Sequence, residues 1–223
     1  SAAAAAGAPQ AAPPLLLILR QRSLWGCALG HFASNWCYYV ILNFLPMYLQ
    51  KGRGFDEQTM LQVNFRAFLF NAVVTMLLGW LADTLRKRGV GATPLFKWYM
   101  GASHAGAVGC FLAMVMLPAQ GSVIALFGYM ACVSAQSAAI FVIPQIIAGP
   151  AAAGSWVGIQ NAIGNIPGFL AVTISGYIAQ RTGHLDMAFS LAGLVSILGV
   201  IGWVLVMQRV EPLDWNAAAQ RSR

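Results

Sequence analysis

From residue 25 onward the chain alternates long apolar stretches with short polar breaks. Six stretches stand out, over 25–50, 60–83, 96–119, 122–148, 156–179 and 187–207. A helix needs about 20 apolar residues to cross the roughly 30 Å hydrocarbon core of a bilayer, so each stretch predicts one crossing. Several connections carry helix breakers, as in Lys51-Gly-Arg-Gly54, Gln120-Gly121 and Arg181-Thr-Gly183. An even number of crossings returns both ends of the chain to the same side.

Polar side chains are costly in hydrocarbon and usually face a bundle interior or a water-filled cavity, so their placement is informative. In the first stretch His31, Asn35, Tyr38, Tyr39 and Asn43 follow helical spacing and form one stripe. The fourth repeats the device with Ser134, Ser137, Phe141 and Gln145. In the fifth, Asn161 and Asn165 share a face with Gly168, and Gln160 stands beside them. Ser, Asn and Gln also bridge helices in bundles, which is the alternative for any single residue. Three stripes on three helices predict a shared polar cavity. The third and sixth stretches offer little beyond Ser103, His104, Ser190 and Ser196 and are expected at the periphery. Pro144 and Pro167 should bend their helices, because each removes a backbone donor and crowds the preceding turn.

Composition narrows the class. Only 9% of the 223 residues are charged and 59% are hydrophobic, with mean hydropathy +0.68. That is too little polar surface for a water-soluble domain, which carries about 25% charged residues. The net charge of +7 does not point to nucleic acid, because the cations sit in small groups between apolar runs. Placed on the predicted topology, Arg20, Arg22, Arg86, Lys87, Arg88, Lys97, Arg209, Arg221 and Arg223 fall on one side and Lys51, Arg53 and Arg181 on the other. By the positive-inside rule both termini are then cytoplasmic. Arg66 is left within a stretch, six residues after Met60; it either snorkels to the outer interface or attracts an anion. The four cysteines lie inside stretches with no metal-like spacing and are expected to pack as small apolar groups. No metal or cofactor is expected. Residues 1–24 divide into a low-complexity linker and a short surface helix, 25–207 form the membrane unit, and 208–223 are read as a cytoplasmic tail.

Gly79-Trp-Leu-Ala-Asp83-Thr-Leu-Arg86-Lys87-Arg88-Gly89 resembles the loop signature of the major facilitator superfamily. Gly30-His-Phe32, Ser34-Asn-Trp36, Tyr39, Leu45-Pro46 and Tyr48-Leu49 resemble the seventh helix of its anion:cation symporter family. Trp156-Val-Gly-Ile-Gln-Asn161-Ala-Ile-Gly-Asn165 is similar to that family's eleventh helix, and Arg209-Val-Glu-Pro-Leu-Asp-Trp215 to the tail of bacterial members. The resemblance implies an all-α integral membrane fold, six transmembrane helices as two inverted three-helix repeats, forming half of a twelve-helix transporter. It implies substrate contacts at His31, Phe141 and Asn161, with Asn35, Tyr39 and Asn165 shaping the same cavity. Gly79, Asp83, Arg86, Lys87 and Arg88 would form the gating motif, with Asp83 holding a cytoplasmic gate. Ala138 and Ile140 stand where sugar-acid carriers often have hydroxyl residues, which argues against a heavily hydroxylated substrate.

The expected function is secondary active transport of a small organic anion (sugar acid, dicarboxylate or aromatic acid) by alternating access, coupled to protons. Its partners are the lipid bilayer, an N-terminal six-helix half (in the same full-length chain or a second subunit) and the anion with H+; its location is a bacterial inner membrane. The alternatives are a membrane scaffold and an intramembrane serine protease. The protease lacks a Gly-x-Ser-Gly nucleophile, and Ser103 and His104, adjacent in sequence, do not face each other on a helix.

Overall fold

The computed structural model describes residues 12–220. The low-complexity segment up to residue 11, and Arg221 and Arg223 among the counted cations, lie outside the described residues. Among the described residues all regular structure is helical: α1 Leu15–Leu19, α2 Arg22–Met47, α3 Glu57–Lys87, α4 Ala92–Met116, α5 Ala119–Ala139, α6 Val142–Gly164, α7 Pro167–Thr182, α8 Asp186–Val200 and α9 Trp215–Gln220. Two wide π-type turns, Tyr48–Gly52 and Ile201–Val206, extend the ends of α2 and α8.

Four helical runs are apolar and long enough to cross a membrane: Glu57–Lys87, Ala92–Met116, Ala119–Thr182 and Asp186–Val206. The first predicted stretch, now α2, has 26 residues but is not among them. Its stripe of His31, Asn35, Tyr38, Tyr39 and Asn43 lowers its hydropathy. The Ala119–Thr182 run covers 64 residues. Unbroken, it would measure roughly 96 Å, several times what a crossing needs. It is interrupted instead at Gly149, whose φ of +65° and ψ of 175° are open in practice only to glycine. Pro150 follows and begins the next helical piece. The predicted fourth stretch is thus α5 with residues 142–148, and the fifth is residues 150–164 with α7.

Two hydrophobic clusters fill the molecule. One gathers Tyr48, Phe111, Tyr129 and Phe189, with Tyr48 stacked on Phe189 at 4.3 Å between ring centroids. The other gathers Leu24, Phe96, Ile143, Trp156, Trp203 and Trp215. Between them runs a belt of buried polar side chains: His31 and Ser34 on α2, His104 on α4, Ser134 and Gln136 on α5, and Ser196 on α8. The helices without polar stripes are therefore not merely peripheral. His104 Nδ1 donates to the Met100 carbonyl at 2.8 Å, its Nε2 lies 3.0 Å from Ser34 Oγ, and Ser196 Oγ donates to the His104 carbonyl at 3.0 Å. One imidazole and its backbone thus join α2, α4 and α8.

The helix ends are tied down as well. Asp56 caps α3, accepting from the Thr59 amide at 2.9 Å and the Thr59 hydroxyl at 2.6 Å, which holds its carboxyl below the usual value. Arg53 donates to the carbonyls of Met114 and Val115 at the end of α4, lies 3.3 Å from Asp186 at the start of α8, and covers the Tyr48 ring. The last carbonyls of a helix lack internal partners, so a cation stationed there stabilises the terminus. The segment after the second wide turn folds back rather than hanging free. Leu213 N–H donates to the Ile147 carbonyl and the Trp215 indole to the Ala148 carbonyl, both at 2.9 Å, directly before the break at Gly149.

Candidate functional site

The site begins with two prolines. Pro144 has no N–H to offer the Ile140 carbonyl. The helix opens there: α5 ends at Ala139, Ile140 and Phe141 form a turn, and α6 resumes at Val142. The freed Ile140 carbonyl accepts from Gln160 Nε2 at 3.1 Å. Pro167 has no N–H for the Ile163 carbonyl, which accepts from the Ile166 amide instead, and the chain turns between α6 and α7. The Gly168 amide bonds to the Asn165 carbonyl, which leaves the Gly164 carbonyl open to Asn35 Nδ2 at 2.7 Å. Each break releases one acceptor, and an amide side chain from a facing segment takes it. A buried carbonyl left alone would cost about 1–3 kcal/mol, so these two pairings fix how the segments sit together.

Around these pairings the six predicted substrate residues come together. Tyr39 donates its hydroxyl to Asn165 Oδ1 at 3.0 Å, and Asn165 Nδ2 donates to Asn161 Oδ1 at 2.8 Å. Asn35 Nδ2 lies 3.4 Å from the same Asn165 Oδ1. His31 is buried, with its ring edge-on to Phe141 at 5.3 Å and its Nδ1 3.5 Å from Gln160 Nε2. Because Gln160 Nε2 must face the Ile140 carbonyl, the orientation of its amide is fixed by chemistry. The imidazole rests directly against Gly164, where a Cβ would lie 2.5 Å from His31 Cγ.

His31, Asn35 and Phe141 also line a cavity of about 280 Å³, together with Ser34, Tyr38, Asn71, Val133, Gln136, Ser137 and Ile140. Tyr39, Asn161 and Asn165 lie beside it and buttress its wall through Asn35. The Oε1 atoms of Gln136 and Gln160 are buried without a hydrogen-bond partner. The cavity wall mixes amide, hydroxyl and imidazole groups with the apolar Phe141, Val133 and Ile140, and carries no full charge.

Asn71 was not anticipated. It sits mid-way along α3, donating Nδ2 to Ser134 Oγ at 2.8 Å, while the single Ser134 hydroxyl proton is shared between the Met130 carbonyl at 2.6 Å and the Asn71 carbonyl at 3.0 Å. The available signal was a lone Asn within Phe70-Asn-Ala-Val-Val74. Ser134, read in sequence as part of a stripe, therefore joins α5 to α3. Gln136, absent from the stripes, is among the residues lining the cavity.

The remaining candidates lie apart. Arg66 is on the exposed face of α3, 3.4 Å from Gln62 Oε1, away from the cavity. Asp83, Arg86, Lys87 and Arg88 are exposed at the far end of α3, where Arg86 donates to the Val90 carbonyl at 3.2 Å. A Cβ at Gly79 would lie 4.0 Å from that of Ala138, so no tight helix crossing inside this chain requires that glycine. All six acidic residues, Asp56, Glu57, Asp83, Asp186, Glu211 and Asp214, stand at helix ends or between helices. Among the described residues, no group of three His, Cys, Asp or Glu side chains is placed to hold a metal ion.

Comparison with known proteins places this geometry. The family described as the Major Facilitator Superfamily matches residues 2–172. The chain is 28% identical to the chloroplastic ascorbate transporter of Arabidopsis thaliana, over 90% of this chain and 37% of that protein. It is also 28% identical to the probable sulfoacetate transporter SauU of Cupriavidus necator, over 86% of this chain and 44% of the relative. A crystal structure of the peptide transporter POT in complex with sulfate superposes with TM-score 0.69 at 15% identity, over 91% of this chain and 43% of the other. The chain thus spans less than half the length of each.

Proposed function

The chain belongs to the Major Facilitator Superfamily, and from that premise we propose that it forms half of a secondary carrier for a small organic anion. Its relatives named above are transporters rather than enzymes, and their printed substrates, ascorbate and sulfoacetate, are organic anions. The observation that carries the reading is the convergence of α2, α3 and the α5–α6 break on one cavity, which the α6–α7 break braces through Asn35.

In this reading the Ala119–Thr182 run supplies two crossings, so that α2 to α4 and α5 to α8 make two inverted three-helix repeats. His31, Asn161 and Phe141 orient the substrate, with Asn35, Tyr39 and Asn165 holding the wall. The wall contributed here is neutral, so this half reads the uncharged part of the substrate. The unpaired Gln136 Oε1 accepts from one hydroxyl or amine of that part. The anionic group and the proton are handled by cations and carboxylates of a second six-helix half. Asp83 and its basic neighbours hold the cytoplasmic gate against that half, and Arg66 attracts the anion from the outer side. The two halves rock around the midplane site of a bacterial inner-membrane protein with both termini inside.

The test is uptake of radiolabelled organic acids into proteoliposomes by the full-length protein. His31→Ala and Asn161→Ala are each expected to lower uptake about tenfold, as for the loss of one hydrogen bond in a buried site, with expression unchanged. Normal uptake by both variants sinks the site assignment. Robust uptake by the present chain alone, as a monomer, sinks the half-carrier reading.

A further inference from the structure

A second cavity, on the outer surface of the bundle, has no part in the transport reading. It is a groove of about 460 Å³ between α4 and the end of α8, floored by Gly101, Ala102, Ala105 and Val204. Its walls are apolar except at one end, where Lys97 stands. These α4 positions share one helix face over about 12 Å of rise. In a membrane-spanning chain an open apolar groove on the outside faces lipid tails.

The cationic end is built from two helices. The wide turn Ile201–Val206 leaves its last carbonyls without helical partners. Lys97 Nζ donates to the Val204 carbonyl at 3.3 Å, and Arg22 Nη2 donates to the Leu205 carbonyl at 3.0 Å. Consecutive carbonyls at one helix end therefore hold both cations, Lys97 within the groove and Arg22 on the neighbouring carbonyl beyond its lining. An ammonium has three donors and a guanidinium five, so both keep N–H groups for another acceptor. Trp98, 78% exposed, lies on the groove wall, and Trp25, 49% exposed, stands one turn from Arg22 with its indole donating to the Leu19 carbonyl. Exposed tryptophans beside Lys and Arg mark the headgroup level of a bilayer.

We propose that this groove binds one anionic phospholipid, with an acyl chain along Gly101, Ala102 and Ala105 and the phosphate on Lys97 and Arg22. A free phosphate would use the cations but leave the apolar groove empty; a zwitterionic lipid would fill the groove but gain less from the paired cations. Only a lipid carrying net negative charge uses both parts. Basic pockets between membrane helices take such headgroups by the same electrostatics.

Native mass spectrometry of the intact chain in detergent, titrated with equimolar phosphatidylglycerol and phosphatidylcholine, tests this. The expected result is a one-to-one adduct favouring phosphatidylglycerol. Lys97→Gln lowers that preference roughly fivefold, and Lys97→Gln with Arg22→Gln roughly thirtyfold, from the usual contribution of each cation near a lipid surface. Ala105→Trp fills the groove and lowers both lipids together. Equal adducts on the unaltered chain overturn the proposal without recourse to any variant. So does a phosphatidylglycerol adduct indifferent to the double charge substitution, or one indifferent to Ala105→Trp. No transported substrate is present, so the outcome is separate from that of the uptake test.

Discussion

His31 and Gly164 show how closely single residues set this cavity. The imidazole occupies the space a side chain at 164 would need. Gly164→Ala is therefore expected to push His31 off Phe141, to cost about 1–3 kcal/mol by overpacking, and to depress uptake. The thermal midpoint in detergent reads the first effect. In combination with His31→Ala the steric cost should largely vanish, giving a coupling energy of comparable size and opposite sign. Additive losses would mean that the two residues do not oppose each other as described. The stripe that named His31, Asn35 and Tyr39 was legible because helical spacing alone puts them on one face. Asn71 and Gln160 were less so, since their roles depend on which carbonyl the neighbouring helix presents at that depth.

At the scale of elements, the α5–α6–α7 path is shaped by what its prolines withhold. The positions of Pro144 and Pro167 announced bends, and the turns fall at Ile140-Phe141 and Asn165-Ile166, just before each proline. What sequence did not disclose is that each freed carbonyl has a named amide partner, because that pairing is made across helices. Pro144→Ala restores a possible helical donor for Ile140. It is expected to raise the thermal midpoint by a few degrees, in keeping with roughly 1 kcal/mol in a chain of this size. Straightening should also swing Phe141 out of line with His31 and reduce uptake. A variant that is more stable and equally active would show that the bend does not position the site. Arg53 makes the same point at the opposite end: counted as a loop cation, it joins the end of α4 to the start of α8, contacts that no local spacing encodes.

Across the whole molecule, a polar belt lies between two hydrophobic clusters, and the cavity opens within that belt. Periodicity and composition were enough to place the chain in a membrane and to mark the belt on α2, because polarity there is dear and therefore sparse. They did not show that the segment after residue 207 is part of the structure. Its stretch of ordinary polarity reads as a tail, whereas Val210 and Trp215 are buried and Trp215 meets Trp156 at 6.4 Å. Trp215→Ala should cost about 3–5 kcal/mol. Amide hydrogen exchange should then quicken over residues 150–156 while residues 125–133 in the other cluster keep their protection. Uniform loosening throughout would contradict a local clasp.

The Trp215–Ala148 contact also orders events in time. It joins positions 67 residues apart, so the turn at Gly149 is made long before the side chain that fastens it has been synthesised. The nascent helices must wait in the bilayer with two carbonyls unclaimed. A stop codon between positions 208 and 213 releases a chain with α2 to α8 present and the hairpin still open, a natural target for membrane quality-control proteases.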